Sequence, residues 1–103
     1  MSEARIESLG GERYRVSGVL DAVTTPKLLE QSAERFASQS GVDIHVDLGG
    51  VSESDSAGLA LLLEWLRVAR KRSQRLHFAN LPKQVAALAR ISEVEELIQP
   101  SSG

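Results

Sequence analysis

Few residues of this 103-residue chain stand in a pattern that could do chemistry, and the best of them share one short run. Residues 52–61 read S-E-S-D-S-A-G-L-A-L. A hydroxyl, Ser56, follows a carboxylate, Asp55, directly ahead of the most apolar stretch, L-A-L-L-L-E-W-L. At a helix start a serine oxygen accepts one of the backbone N–H groups that lack a partner within the helix. An acid there gains from the positive end of the helix dipole. Ser56 as the cap and Asp55 as the neighbouring charge therefore have a purely structural account. Gly58 is harder to place, because glycine weakens a helix interior by about 1 kcal/mol relative to alanine unless something must approach the backbone closely. A hydroxyl and a glycine at an exposed helix start also suit a phosphoryl group, which would meet free N–H groups. Asp55, Asp21 and Glu53 would repel it if near.

The remaining reactive side chains assemble into nothing. His45 and His77 each fall inside a strand pattern, and alternation puts His45 on the polar side. A metal site or a nucleophile–base pair needs partners that are missing: there is no cysteine, no H-x-x-x-H and no G-x-S-x-G. Without G-x-x-x-x-G-K-S/T the chain is not a P-loop ATPase either. The expectation is a protein that is not an enzyme and uses no metal and no cofactor. Arg67, Arg70, Lys71, Arg72 and Arg75 form a basic cluster late in the second helix. Favourable charge at a helix C-terminus explains it, and an acidic partner surface or anionic headgroups are the alternative.

The elements that must position the Asp55–Ser56 run are legible from periodicity. Tyr14, Val16, Gly18 and Leu20 alternate with Arg13, Arg15, Ser17 and Val19. Val42, Ile44, Val46 and Leu48 alternate with Asp43, His45 and Asp47. A period of two marks strands with one wet face, so the sheet carries its helices on one face only. Ala4 to Leu9 is a hairpin partner of the first of these strands, and Arg75 to Ala79 is a further strand. One helix starts with Thr25 as its cap and Pro26 as its first helical residue, with Leu28, Leu29, Ala33 and Phe36 as its stripe and Gly41 as its stop. The second runs from about Ala57 to Arg72. The third starts at Pro82 and packs through Val85, Leu88 and Ala89. Ser92 and Glu95 have the spacing of a capping box for one more turn. The fold class is α/β: a mixed four- to five-stranded sheet with helices on one face.

On the second helix, at about 100° per residue, Leu62, Leu63, Leu66 and Ala69 cluster with Leu59 as the core stripe. Leu61, Trp65 and Val68 fall roughly 180–240° away. The apolar arc is then about 220° wide, against the roughly 100° that a surface helix needs. Either this flank lies under another helix of the chain, or it is an exposed patch for a partner protein. The second alternative is taken as the expectation, with Trp65 as a partly wet docking residue.

Length and composition permit all of this. The chain is short enough for one domain over residues 1–99, with a small polar tail, Pro100 to Gly103, that frays. With only four aromatic residues, the core must be mostly aliphatic. A net charge of −2 argues against a general nucleic-acid binder. The absence of cysteine fits a reducing compartment, and no segment reads as a signal peptide or a membrane span, so a cytoplasmic location is expected.

The segment D-S-A-G-L-A-L-L-L, after the strand V-D-I-H-V-D-L, resembles the signature of the STAS domain family, the fold of the anti-sigma-factor antagonists. G-V-L-D-A-V-T-T-P matches the family's loop between its second strand and first helix, and the element order agrees from about Arg5 to Leu97. The resemblance implies that Ser56 is the regulatory hydroxyl. It also implies that the loops bearing Asp21 and Asp55 lie side by side at a partner-facing end. With the docking flank, the expected partner-binding set is Asp21, Asp55, Ser56, Gly58, Leu61, Trp65 and Val68. The bulky second helix is similar to the MlaB branch, small STAS subunits bound to the ATPase of a phospholipid ABC transporter that maintains outer-membrane lipid asymmetry. That implies an ATP-binding subunit as partner and a cytoplasmic position peripheral to the inner membrane. The alternative is an anti-sigma-factor antagonist, whose partner is a kinase-type anti-sigma factor that phosphorylates Ser56.

Overall fold

A computed structural model describes residues 3–98, so the tail expected to fray lies outside the described residues. The chain runs β1 (Ala4–Gly10), β2 (Arg13–Leu20), α1 (Thr25–Ala37), β3 (Asp43–Ser54), α2 (Ser56–Lys71), β4 (Arg75–Ala79), α3 (Lys83–Ile91) and α4 (Glu95–Ile98). The four strands lie in the order β1-β2-β3-β4. The β1–β2 hairpin is antiparallel, and β2–β3 and β3–β4 are parallel, with a helix in each parallel crossover.

Alternation decides the faces. Val16, Leu20, Ile44 and Val46 are wholly buried beneath the helices, with Leu62 of α2 and Val85 and Ala89 of α3. Arg13, Arg15, His45, Arg75 and His77 stand exposed on the other face. There Asp43 accepts from Arg75 Nε at 3.0 Å and lies 2.8 Å from His77 Nε2, and the His45 and His77 rings stack with centroids 4.8 Å apart. The His77 contact, then the Arg75 guanidinium, holds the Asp43 carboxyl below its ordinary pKa. Ion pairs this exposed add little stability.

β3 is longer than the hydrophobic pattern suggests. It continues through Gly49 and Gly50 to Ser54, because parallel pairing with β2 carries on from Ser17↔Gly50 to Leu20↔Ser54. The first helix also ends earlier than Gly41. Ser38 finishes it, its hydroxyl donating to the Arg35 carbonyl at 2.8 Å, so no left-handed glycine is needed. Gly18 does need its freedom: φ is +100°, and a Cβ there would sit 2.3 Å from the Glu3 carbonyl oxygen.

The flank of α2 expected to be exposed is interior. Trp65 is 2% and Leu61 4% accessible. The reason is α1, which lies across that side of α2. The Trp65 ring meets Phe36 edge-on at 5.7 Å, Phe36 meets Tyr14 edge-on at 5.2 Å, and Trp65 Nε1 donates to Ser32 Oγ at 2.6 Å. Ser32 is fully buried and donates onward to the Leu29 carbonyl at 3.0 Å, so the indole N–H is satisfied inside the core. An indole thus held is a packing residue. The docking expectation for Leu61 and Trp65 is corrected accordingly.

Candidate functional site

The two loops marked by Asp21 and Asp55 follow the C-terminal ends of the neighbouring parallel strands β2 and β3. Leu20 and Ser54 are partners in register, and the Asp55 N–H donates to the Leu20 carbonyl at 3.2 Å. The loops therefore lie side by side, at the sheet end where open α/β folds place their sites.

Each loop is braced by its own aspartate. Asp21 Oδ1 accepts from the N–H groups of Val23 and Thr24 at 2.9 and 3.0 Å. The Thr24 hydroxyl donates back to the Val19 carbonyl at 2.7 Å and accepts from the Asp21 N–H at 3.1 Å. This is the local side-chain-to-backbone bonding that aspartate and threonine offer in turns. It sets the entry of α1 with Thr24, one residue before the expected Thr25, at the cap position.

In the second loop Asp55, in extended backbone geometry, is the cap of α2: its Oδ1 accepts from the Ala57 N–H at 2.8 Å. Ser56 is the first helical residue, not the cap, which corrects the sequence reading. Both residue types cap well, and the aspartate one position earlier, in extended backbone with the Ala57 N–H two residues on, takes the role. The consequence is chemical. Ser56 is exposed and its hydroxyl makes no hydrogen bond among the described residues, so it is uncommitted at the positive end of a sixteen-residue helix.

Gly58 is glycine for a reason internal to the fold. A Cβ there would come within 2.0 Å of Ser54 Oγ and 3.2 Å of Leu20 Cβ. The helix start packs directly on the strand ends, and Gly58 is buried, facing away from any ligand approaching Ser56.

Of the residues expected at the partner face, Asp21, Asp55 and Ser56 are thus brought together at one end. Gly58, Leu61 and Trp65 face inward. Val68 is half-buried three turns along α2. The outward stripe of α2 is instead Ser56, Ala60, Arg67 and Lys71. Arg67 Nε donates to Glu64 Oε2 at 3.0 Å, and this bond lowers the Glu64 pKa. One residue escaped the sequence reading: Val23, 76% accessible, projects from the first loop at the same end. A valine inside the turn sequence D-A-V-T-T-P, where no strand or helix pattern needs it, was the available signal.

Comparison with known proteins agrees with this architecture. The family described as "Mlab, STAS domain" matches residues 9–99. Anti-sigma-B factor antagonists of Staphylococcus epidermidis and of Staphylococcus aureus (strain NCTC 8325 / PS 47) are each 28% identical over 89 residues, covering 86% of this chain and 82% of theirs. The solved structure titled "Structure of the Anti-Sigma Factor Antagonist SpoIIAA in its Unphosphorylated Form" superposes with a TM-score of 0.71 at 17% identity, covering 96% of this chain and 88% of its own. With its mixed four-stranded sheet and one-sided helices, and with a family match over residues 9–99, the chain belongs to the STAS domain family.

Proposed function

We propose that this chain is a non-enzymatic partner-binding module of the anti-sigma-factor antagonist kind. It docks onto a kinase-type anti-sigma factor through the end formed by Asp21, Val23, Asp55 and Ser56, and phosphorylation of Ser56 by that partner ends the contact. The carrying observation is the exposed Ser56 hydroxyl, held at the first turn of α2 while Asp55 does the capping. A regulatory hydroxyl must be reachable and must not be needed for folding, and Ser56 meets both conditions. The names of the relatives at 28% identity support the same reading. A phosphate here would bring close to two negative charges beside Asp55 and Asp21, so it acts by repulsion and desolvation at the contact. Val23 supplies an apolar anchor beside the hydroxyl.

The test is incubation of the purified protein with ATP and the protein that copurifies with it from its native host. A phosphorylated peptide containing Ser56, with loss of binding, is expected. An unmodified protein bound to a membrane ABC transporter would instead favour the second reading, an MlaB-like subunit on the cytoplasmic side that stabilises the transporter's ATPase in phospholipid trafficking. The description of the matching family supports that reading. The bulk of α2, which first pointed to it, is taken up by the protein's own core.

A further inference from the structure

The far end of α2 borders a surface that the proposed function leaves unused. Ser56 and Arg70 are separated by about 21 Å along the helix axis. Between the last turns of α2, the strand β4 and the short α4 runs a groove of about 1110 Å³. Its apolar lining includes Leu63, Leu66 and Phe78, and at its rim Val42 and Leu97 are 50% and 53% accessible. Three arginines, Arg67, Arg70 and Arg75, line it, and among the described residues no carboxylate does. Arg67 is bonded to Glu64 and Arg75 to Asp43, and among the described residues Arg70 has no ion pair.

The groove also contains an open strand edge. Among the described residues β4 pairs with β3 alone and ends the sheet. The Arg75 N–H donates to the Val42 carbonyl at 2.7 Å, so in parallel pairing the backbone groups of Arg75, His77 and Ala79 face β3. Those of Leu76 and Phe78 face the other way, into the groove's side of the sheet. The opposite edge is treated differently: on β1 the Arg35 guanidinium donates to the Ile6 carbonyl at 2.8 Å.

We propose that this groove takes an extended, acidic and apolar segment of a partner protein, which adds a strand to β4. Strand addition supplies main-chain hydrogen bonds, and alternate side chains supply specificity. On such a strand one set of side chains lies on the helix side of the sheet, against the apolar wall of α2 and α4, and the acids between them lie on the open side, where Arg75 and His77 stand. A second copy of this chain is the poorer occupant, because edge-to-edge pairing would bring two arginine-lined rims together. Residues 99–103, Q-P-S-S-G, which follow the groove-lining Ile98, have neither an acidic nor a large apolar side chain to offer.

The experiment is a titration of the ¹⁵N-labelled full chain with an acetylated heptapeptide of alternating glutamate and leucine. Saturable shifts at the amides of Leu76 and Phe78 are expected, with slowed hydrogen exchange there. Binding should weaken with salt and by about tenfold in Arg75→Glu, on the side that the glutamates face. Val42→Asp should weaken it independently. A peptide with lysine in place of glutamate, or with a central proline, should bind far less. Absence of shifts at β4 at millimolar peptide would overturn the proposal, as would equal binding of the lysine peptide. Two outcomes would reassign the groove: concentration-dependent self-association through β4 would give it to a second copy. Arg70-dependent binding to phosphatidylglycerol vesicles without peptide binding would give it to a membrane surface.

Discussion

The first turn of α2 and its middle lie one or two turns apart, and they have opposite fates. The middle holds the most conspicuous residues of the chain, Leu61 and Trp65, and the fold buries both under α1. The first turn holds small residues, Asp55, Ser56 and Gly58. One caps, one is left exposed, and one lets the helix rest on Ser54 and Leu20. Large apolar side chains in the middle of the helix went to stability, and at its first turn the group left exposed without a hydrogen bond among the described residues is the Ser56 hydroxyl.

The sharpest way to break that contrast is Trp65→Ala. Removing a buried indole should cost about 3–5 kcal/mol, enough to unfold a sizeable fraction of a marginally stable domain. Trp65→Phe should cost less, losing the bond to Ser32 Oγ but keeping the ring contact with Phe36. Tryptophan emission should be blue in the free protein and should not move when a partner binds. A red, partly wet emission, or a Trp65→Ala protein with unchanged melting temperature and weakened binding, would put the docking surface back on the middle of α2.

Next in size is Gly58→Ala. The added methyl would collide with Ser54 Oγ, so the helix start must shift; destabilisation of about 1–3 kcal/mol is expected from overpacking. Ser54→Ala in the same chain should recover part of it, which denaturant melts of the two single variants and the double variant will show. Full additivity would mean that the two residues do not press on each other.

Asp55→Ala should cost about 1 kcal/mol through loss of the cap bond to Ala57. The identity of the cap illustrates how far the sequence could be read. In S-D-S both Asp55 and Ser56 are good caps, and a shift of one residue decides which is structural and which is free. Backbone geometry decides it, and local composition does not show that geometry. The strands and faces were legible because alternation is local: Ile44, Val46 and Leu48 point one way wherever the chain lies. The burial of Trp65 was not legible, because it depends on where α1, more than thirty residues away, comes to rest. The run of β3 through Gly49 and Gly50 was missed for a related reason. Two glycines read as a break until the neighbouring strand is seen to keep pairing with them.

The open sheet face gives a smaller effect and a control, since it lies outside α2. Asp47 accepts from the Asn80 side chain at 2.9 Å and from the Gly49 N–H at 2.8 Å, and these bonds, the Asn80 one first, lower its pKa. A carboxylate with a depressed folded pKa stabilises the fold above the ordinary value of about 3.9, and that stability is lost as the pH falls through the folded value. Melting temperature should therefore decline on the acid side below about pH 4. Asn80→Ala should make that decline shallower while leaving the effects of the α2 substitutions unchanged. An acid limb identical in both proteins would assign the decline to other carboxylates.

The smallest stability effect belongs to Ser56. Its hydroxyl bonds to nothing among the described residues, so Ser56→Ala should shift stability by no more than about 0.5 kcal/mol. Ser56→Asp should also fold, since a negative charge at the first turn of a helix is favourable. At the contact the same charge stands beside Asp55, so the aspartate variant should bind its partner more weakly than the alanine variant, as calorimetry can measure. The two substitutions thus separate two roles that the cap position would have merged. If Ser56→Ala destabilised as much as Asp55→Ala, the hydroxyl would be holding the helix after all, and a modification there would act by loosening the fold. If both variants were as stable as the parent and bound equally well, Ser56 would lie outside the contact and the regulatory reading would fail. Stability near the parent's with affinity lost only in the aspartate variant is the combination that an exposed, uncommitted hydroxyl at a docking end requires.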